Sequence, residues 1–367
     1  MRSAAIARQP ALDRDFTLTP GGKNTFMRDG VAGQGLDLPP LRRSFARFDW
    51  TRFSVLLGLA LFGVAAFVLY RTLEQVTWIE VRAAWWRISL TSIVCAALAT
   101  AGSYFALVGY DALALRQTGA RHVTLRFTAL TSLVSHALTF TLGFGMLTGG
   151  ALRLRLYQSQ GLEVGHILAI GVFCALTFWM GLAAVTGLCL IAEPSAFAMV
   201  DGVAAPINIA IGAGILALLA GWAAAAAIRP RHMMIAGWKL DFPGPAASLG
   251  AVFVGVSHTA FAALALWLLL PAGGNMPFAA FIVVFVAATI VAVISYVPGG
   301  LGVFEAVILL ALPNVPPAET IGALALFRAI YYIAPFTLAT ATLAVFELRA
   351  RQKTASAAKR QPQRVSA

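Results

Sequence analysis

Nine apolar stretches follow one another along this chain, at 53–70, 88–110, 125–147, 164–192, 203–228, 246–271, 277–297, 301–312 and 318–347. Most reach the ~20 residues that an apolar helix needs to cross a bilayer, so the pattern predicts a helical, polytopic membrane protein. Residues 1–52 show no apolar period and are rich in Gly, Pro and Arg, which predicts a disordered basic arm. The first long run, beginning after Arg52, is too long and too distant for a cleaved secretory signal. Inside the arm, 41–48 interleaves Phe45 and Phe48 with Arg42, Arg43 and Arg47. A segment lying on anionic lipid and a solvated linker both fit that mixture. Residues 349–367 form a basic tail.

Two runs are broken by residues that abandon helical geometry. The first break spans Gly143-Phe144-Gly145-Met146-Leu147-Thr148-Gly149-Gly150, and the second is Pro298-Gly299-Gly300-Leu301-Gly302. Proline removes a backbone donor and glycine disfavours helix, so both places strand polar backbone groups at membrane depth. Such backbone is tolerated only where protein or a water-lined cavity satisfies it, which marks both breaks as edges of a functional cavity.

Composition supports the class, with 59% hydrophobic and 11% charged residues and a mean hydropathy of +0.81. These values exclude a soluble domain. The net charge of +12 sits in segments flanking the apolar runs, so lipid headgroups rather than nucleic acid are the expected partners. Cys95, Cys174 and Cys189 all lie in apolar stretches, without the spacing of a metal site or a disulfide framework, and read as core packing.

Charge also predicts topology. Lys and Arg cluster in 1–52, in 111–126, at Arg153 and Arg155, in 229–239 and from Arg349 onward. All five clusters fall on the cytoplasmic side if 125–160 is a re-entrant hairpin from that side and 277–312 is a second one from the other side. The expectation is therefore six full crossings, two opposed hairpins and two cytoplasmic termini. The plainer alternative of eight or nine crossings violates the charge rule at Arg153 and Arg155 or separates the termini.

Candidate chemistry rests on few side chains. Glu305 follows the second break at the start of a short helix, where the helix dipole favours its anion. An acid at membrane depth is a proton site, a substrate contact or a partner of a buried cation, and a structural cap is the other reading. Arg153 and Arg155 follow the first break; guanidinium forks there suit a headgroup phosphate, or ordinary anchoring at the membrane surface. Arg328, inside the last run, must face protein or water and could pair with Glu305 or bind phosphate. His136 and His258 lack a carboxylate or second His at metal spacing and read as satisfied core histidines. No metal site, cofactor motif, nucleotide loop or nucleophile elbow is present, so enzymatic activity is not expected.

These same residues carry a resemblance. Gly143-Phe144, Thr148-Gly149-Gly150-Ala151, Arg153, Arg155, Tyr157 and Gly161, then Val297 through Glu305, then Arg328, Tyr331, Tyr332 and Pro335 resemble the lysylphosphatidylglycerol synthase transmembrane family. That family includes the flippase part of the multiple peptide resistance factor. The likeness covers about 50–348, and its most specific element is Pro-Gly-Gly-x-Gly-x-x-Glu. It implies an inner-membrane domain that binds or translocates a phospholipid, anionic or zwitterionic, alone or beside a lipid-synthesis enzyme; a small-solute or ion transporter is the other class. Full-length members carry a cytosolic aminoacyl-transferase domain, whereas this chain ends in its basic tail, so lipid aminoacylation is not expected. The family's His-Asn before Gly-Phe and its Tyr between the arginines are Phe140-Thr141 and Leu154 here, a difference that bears on the headgroup.

Overall fold

The computed structural model describes residues 62–72, 74, 76–143, 145–228, 232–235, 238–241 and 244–360. The expected arm, the start of the first crossing and residues 361–367 of the tail lie outside these.

The chain is helical, as its apolar runs require. Helix α1 (Phe62–Thr72) is followed by α2 (Trp78–Arg87), whose Thr77 and Glu80 form a reciprocal capping box, and α3 (Leu90–Gln117), capped by Ser89. Next come α4 (Leu125–Leu142), capped by Thr124, α5 (Gly145–Gln158), α6 (Val164–Ala192), short α7 (Pro194–Asp201) and α8 (Ala205–Ile228). Two four-residue strands, β1 (His232–Ile235) and β2 (Trp238–Asp241), pair antiparallel in a small hairpin. The remainder is α9 (Pro245–Trp267), α10 (Phe278–Ile294), α11 (Val303–Ala311), α12 (Pro317–Phe327), a π-helical stretch Arg328–Ile333, and α13 (Ala334–Arg360). The first twelve residues of the expected tail are thus a continuation of α13.

Among the described residues, five helical segments are long and apolar enough to cross a membrane: Leu90–Gln117, Val164–Ala192, Ala205–Ala226, Pro245–Trp267 and Pro317–Arg349. The sixth expected crossing, 53–70, is described only from Phe62, where α1 continues it.

Two segments turn back instead of crossing. Helices α4 and α5 reverse at Gly143 (φ 76°), and His122 Nε2 stands 3.2 Å from Gln160 O, so this hairpin begins and ends on one side. Arg155 near its end pairs with Glu347 of α13 at 2.7 Å, which identifies that side as the one where the last helix emerges, here the tail side. Helices α10 and α11 reverse at Pro298–Gly302, and a methyl built on Gly274, ahead of α10, would lie 3.1 Å from Leu312, just past α11. The last crossing, Pro317–Arg349, starts just past α11 and ends on the tail side, so the second hairpin begins and ends on the opposite side. Trp85 Nε1, which donates to Gly322 O at 2.7 Å, pins α2 there as well.

The first break is shorter than its glycines imply. Gly149 and Gly150, expected within it, are helical residues of α5, and among the described residues the reversal falls at Gly143. Gly149 serves packing: a Cβ there would lie 2.5 Å from Thr139 Oγ1 of α4. Lipid tails are as apolar as the helices, so close backbone contact does much of the work of holding the bundle. Helices α6 and α9 touch at Gly181 and Gly255, where a Cβ on Gly181 would come within 2.4 Å of Gly255 C.

Candidate functional site

The hairpin tips meet inside the bundle. A methyl on Gly143 would stand 3.1 Å from Pro298 Cα, and one on Gly299 would stand 3.0 Å from Thr141 O. Irregular backbone from opposite sides is thereby covered by protein, which answers the cost of unpaired peptide groups at depth.

The second tip is held by a guanidinium. Arg328 Nε donates to Glu305 Oε1 at 2.6 Å, Nη1 to Gly299 O at 2.6 Å and Nη2 to Gly300 O at 3.4 Å. Glu305 Oε2 accepts from Gly302 N at 2.7 Å, so one carboxylate caps α11 and neutralises the arginine together. Arg328 also lies over the Tyr332 ring, Cζ 4.4 Å from its centroid. Both side chains keep a little exposure, 13% for Arg328 and 14% for Glu305. The π-helical stretch that carries Arg328 is secured by Tyr104, whose hydroxyl donates to Tyr331 O at 3.2 Å.

The first hairpin has its own ion pair, with a partner that the span boundaries concealed. Arg153 of α5 grips Asp111 of α3 through Nε to Oδ1 at 2.8 Å and Nη2 to Oδ2 at 3.2 Å. Tyr157 donates to Asp111 Oδ1 at 3.3 Å. Arg153 Nη2 also stands 3.1 Å from His136 Nε2, an arrangement that makes Nε2 the acceptor and leaves Nδ1 to donate to Ser132 O at 2.9 Å. His136 is thus a satisfied core histidine, but it belongs to the charged cluster. Asp111 sits one residue beyond the predicted 88–110 span, on a helix that continues to Gln117. Its signal was periodicity: Leu107, Ala114 and Leu115, at spacings of four, three and four from it, are all buried.

A third polar group joins the two. Ser103 Oγ lies 2.8 Å from His258 Nδ1 and 2.9 Å from Tyr331 OH. Phe140, three residues before the first break, stacks on both His258 and Tyr331, at ring separations of 5.9 and 6.5 Å. Tyr110 packs in T-shaped contact with His136 and His258, and among the described residues its buried hydroxyl has no hydrogen-bond partner.

Arg153 and Arg155 do not act as a pair of forks on one phosphate. Helical spacing turns them 200° apart, so Arg153 faces the core while Arg155 lies at the surface against Glu347. Arg328 and Glu305 do meet. Among the described residues no group of three or more His, Cys, Asp or Glu is placed to hold a metal.

Fold and site together define an all-α, multi-pass membrane protein with two opposed re-entrant hairpins, each tied to a crossing helix by a buried ion pair, Arg153 to Asp111 of α3 and Glu305 to Arg328 of the last crossing. The chain belongs to the lysylphosphatidylglycerol synthase TM region family, which matches residues 55–339. It is 32% identical over 299 residues to protein slr0712 of Synechocystis, covering 80% of this chain and 91% of that one. It is 30% identical over 304 residues to the inner membrane protein YbhN of Escherichia coli, covering 80% and 92%. A shorter stretch of 83 residues is 39% identical to the phosphatidylglycerol lysyltransferase of Staphylococcus xylosus, 22% of this chain and 10% of that enzyme.

Proposed function

We propose that this protein moves a phospholipid or related polar lipid between the leaflets of an inner membrane, without catalysing a reaction, and that both termini are cytoplasmic. The observation that carries the reading is the meeting of two oppositely directed hairpin tips, each braced by an arginine–carboxylate pair. A headgroup passing between leaflets needs polar partners at depth in a protein otherwise apolar, and here each hairpin carries one, Arg153 on the first and Glu305 on the second. Arg153 and Arg328 contact the headgroup phosphate in turn, their carboxylates balancing charge. Arg155 gathers headgroups at the surface. The names of YbhN and the lysyltransferase support a membrane setting concerned with lipid.

The test is reconstitution. Purified protein in liposomes with fluorescent lipids, treated with dithionite from outside, is expected to bleach the inner-leaflet pool faster than empty liposomes do. Bleaching no faster than in empty liposomes, across several headgroups, overturns the reading. Both ion pairs are closed in this structure, which favours one other reading: a lipid-binding membrane subunit that scaffolds a lipid-synthesis enzyme. That reading predicts a co-purifying enzyme and function that survives Glu305→Gln.

A further inference from the structure

Among the described residues, the groups that bond to the Arg328 guanidinium or face it as rings are ones that recognise a cation. Glu305 offers a carboxylate, Gly299 and Gly300 offer carbonyl oxygens, and Tyr332 and Phe304 offer ring faces at 4.4 and 5.7 Å from Cζ. The two carbonyls are free for this because Gly299 and Gly300 both have φ of 61° and stand outside any α-helical ladder. Four of these five groups belong to the second hairpin, whereas the guanidinium comes from the last crossing. The hairpin has in effect built a receptor for a positive charge, and the protein's own arginine fills it.

We propose that this seat is the ammonium subsite for a zwitterionic headgroup, and that Arg328 is its resident occupant, turning to the phosphate of the same headgroup when the ammonium takes its place. The proposal rests on the lipid-transport reading and names its substrate class. Charge balance selects the zwitterion. The two arginines drawn into the bundle among the described residues are each matched by one carboxylate, Arg153 by Asp111 and Arg328 by Glu305. An anionic headgroup that drew Arg328 away would strand Glu305 unpaired at depth, one of the costlier arrangements a protein interior offers. A cationic lipid without phosphate would displace Arg328 and leave the guanidinium stranded instead. A headgroup carrying both phosphate and ammonium exchanges partners with both side chains, and no charge is left alone. Carbonyl and carboxylate oxygens suit a primary ammonium, and the ring faces suit a methylated one, so both headgroup types fit.

The experiment compares phosphoethanolamine, phosphocholine, phosphoglycerol and phosphate-free trimethylammonium lipids on the purified full chain. Binding is read by lipid retention in native mass spectrometry, and movement by dithionite bleaching in liposomes. Zwitterionic lipids are expected to bind about tenfold better than either singly charged class, and Tyr332→Leu or Glu305→Gln to erase most of that margin. The ranking on the unaltered protein decides by itself, whatever the variants' folding. Phosphoglycerol or phosphate-free lipid bound as well as the zwitterions overturns the proposal. So does soluble phosphoethanolamine that displaces the lipid at equal concentration, because the site then belongs to a small solute. Zwitterion-selective binding without movement of any lipid keeps the seat and removes the transport reading; movement without headgroup preference does the reverse.

Discussion

Gly143 and Pro298 are in contact across the middle of the bundle, so close that a Cβ on Gly143 would stand 3.1 Å from Pro298 Cα and fit only if a neighbour gave way by a few tenths of an ångström. The contact joins two segments that approach from opposite sides, so neither hairpin tip can shift without the other while it is kept.

Gly143→Ala meets both a left-handed backbone (φ 76°) and Pro298, and is expected to cost about 1–3 kcal/mol. Gly150→Ala, in a helical position with open space around it, is expected to be neutral or to gain about 0.5–1 kcal/mol. Thermal unfolding of both variants in detergent checks the contrast. Equal effects would mean that the tips do not touch.

Asp111 and Arg153 form a buried pair, and removing either one strands the other. Asp111→Leu and Arg153→Met are each expected to destabilise by about 3–5 kcal/mol, while the double substitution costs far less than the sum. Unfolding of the four proteins as a double-mutant cycle reads the coupling directly. Additive losses would show that the ion pair contributes nothing.

Sidedness is open to chemistry. Ser159, beyond the first hairpin, and Asn275, before the second, are both exposed, on opposite sides of the bundle. Ser159→Cys and Asn275→Cys are expected to react with an impermeant maleimide from opposite faces of oriented vesicles. Labelling from one face alone would refute the opposed hairpins.

The interfacial helix α2 carries a pH dependence of its own. The Thr77 backbone N–H donates to the Glu80 carboxylate at 2.8 Å and holds its pKa below the ordinary 4.5. A pKa lowered by folding stabilises the helix above that value, and the contribution is lost as pH falls through the folded pKa. Fluorescence of Trp78 and Trp85 is therefore expected to stay constant down to about pH 4.5 and to change only in more acid solution. Glu80→Gln should remove the transition.

Much of this was legible in the sequence, because a bilayer enforces a simple grammar of length and charge. The nine apolar runs and the clusters of Lys and Arg together predict two opposed hairpins, and the chain folds that way. Glu305 and Arg328 were legible for a related reason: charge at membrane depth must be matched, and few candidates exist. Three features were hidden. Asp111 stands where apolar run and polar loop merge, so hydropathy gives it to the loop although its helix continues for another six residues. Gly149 and Gly150 read as breakers, yet propensity yields to packing where α5 presses against Thr139. The divergence of Arg153 from Arg155 follows from helical rotation, and it became visible only once α5 was known to be helical through both.

The π-helical stretch at Arg328–Ile333 has one further effect. A wide turn holds more residues than an α-turn, so it resets the angular phase between the helix before it and the helix after it. Arg328 looks toward Gly299, while Tyr331, three residues on, reaches Ser103 on a different helix. Deleting one residue here would restore a regular α-helix at the expense of that phase, swinging one half of the last crossing by about 100° against the other. The wide turn therefore acts as a clutch plate in the last crossing, allowing one continuous helix to serve two neighbours that do not share a direction.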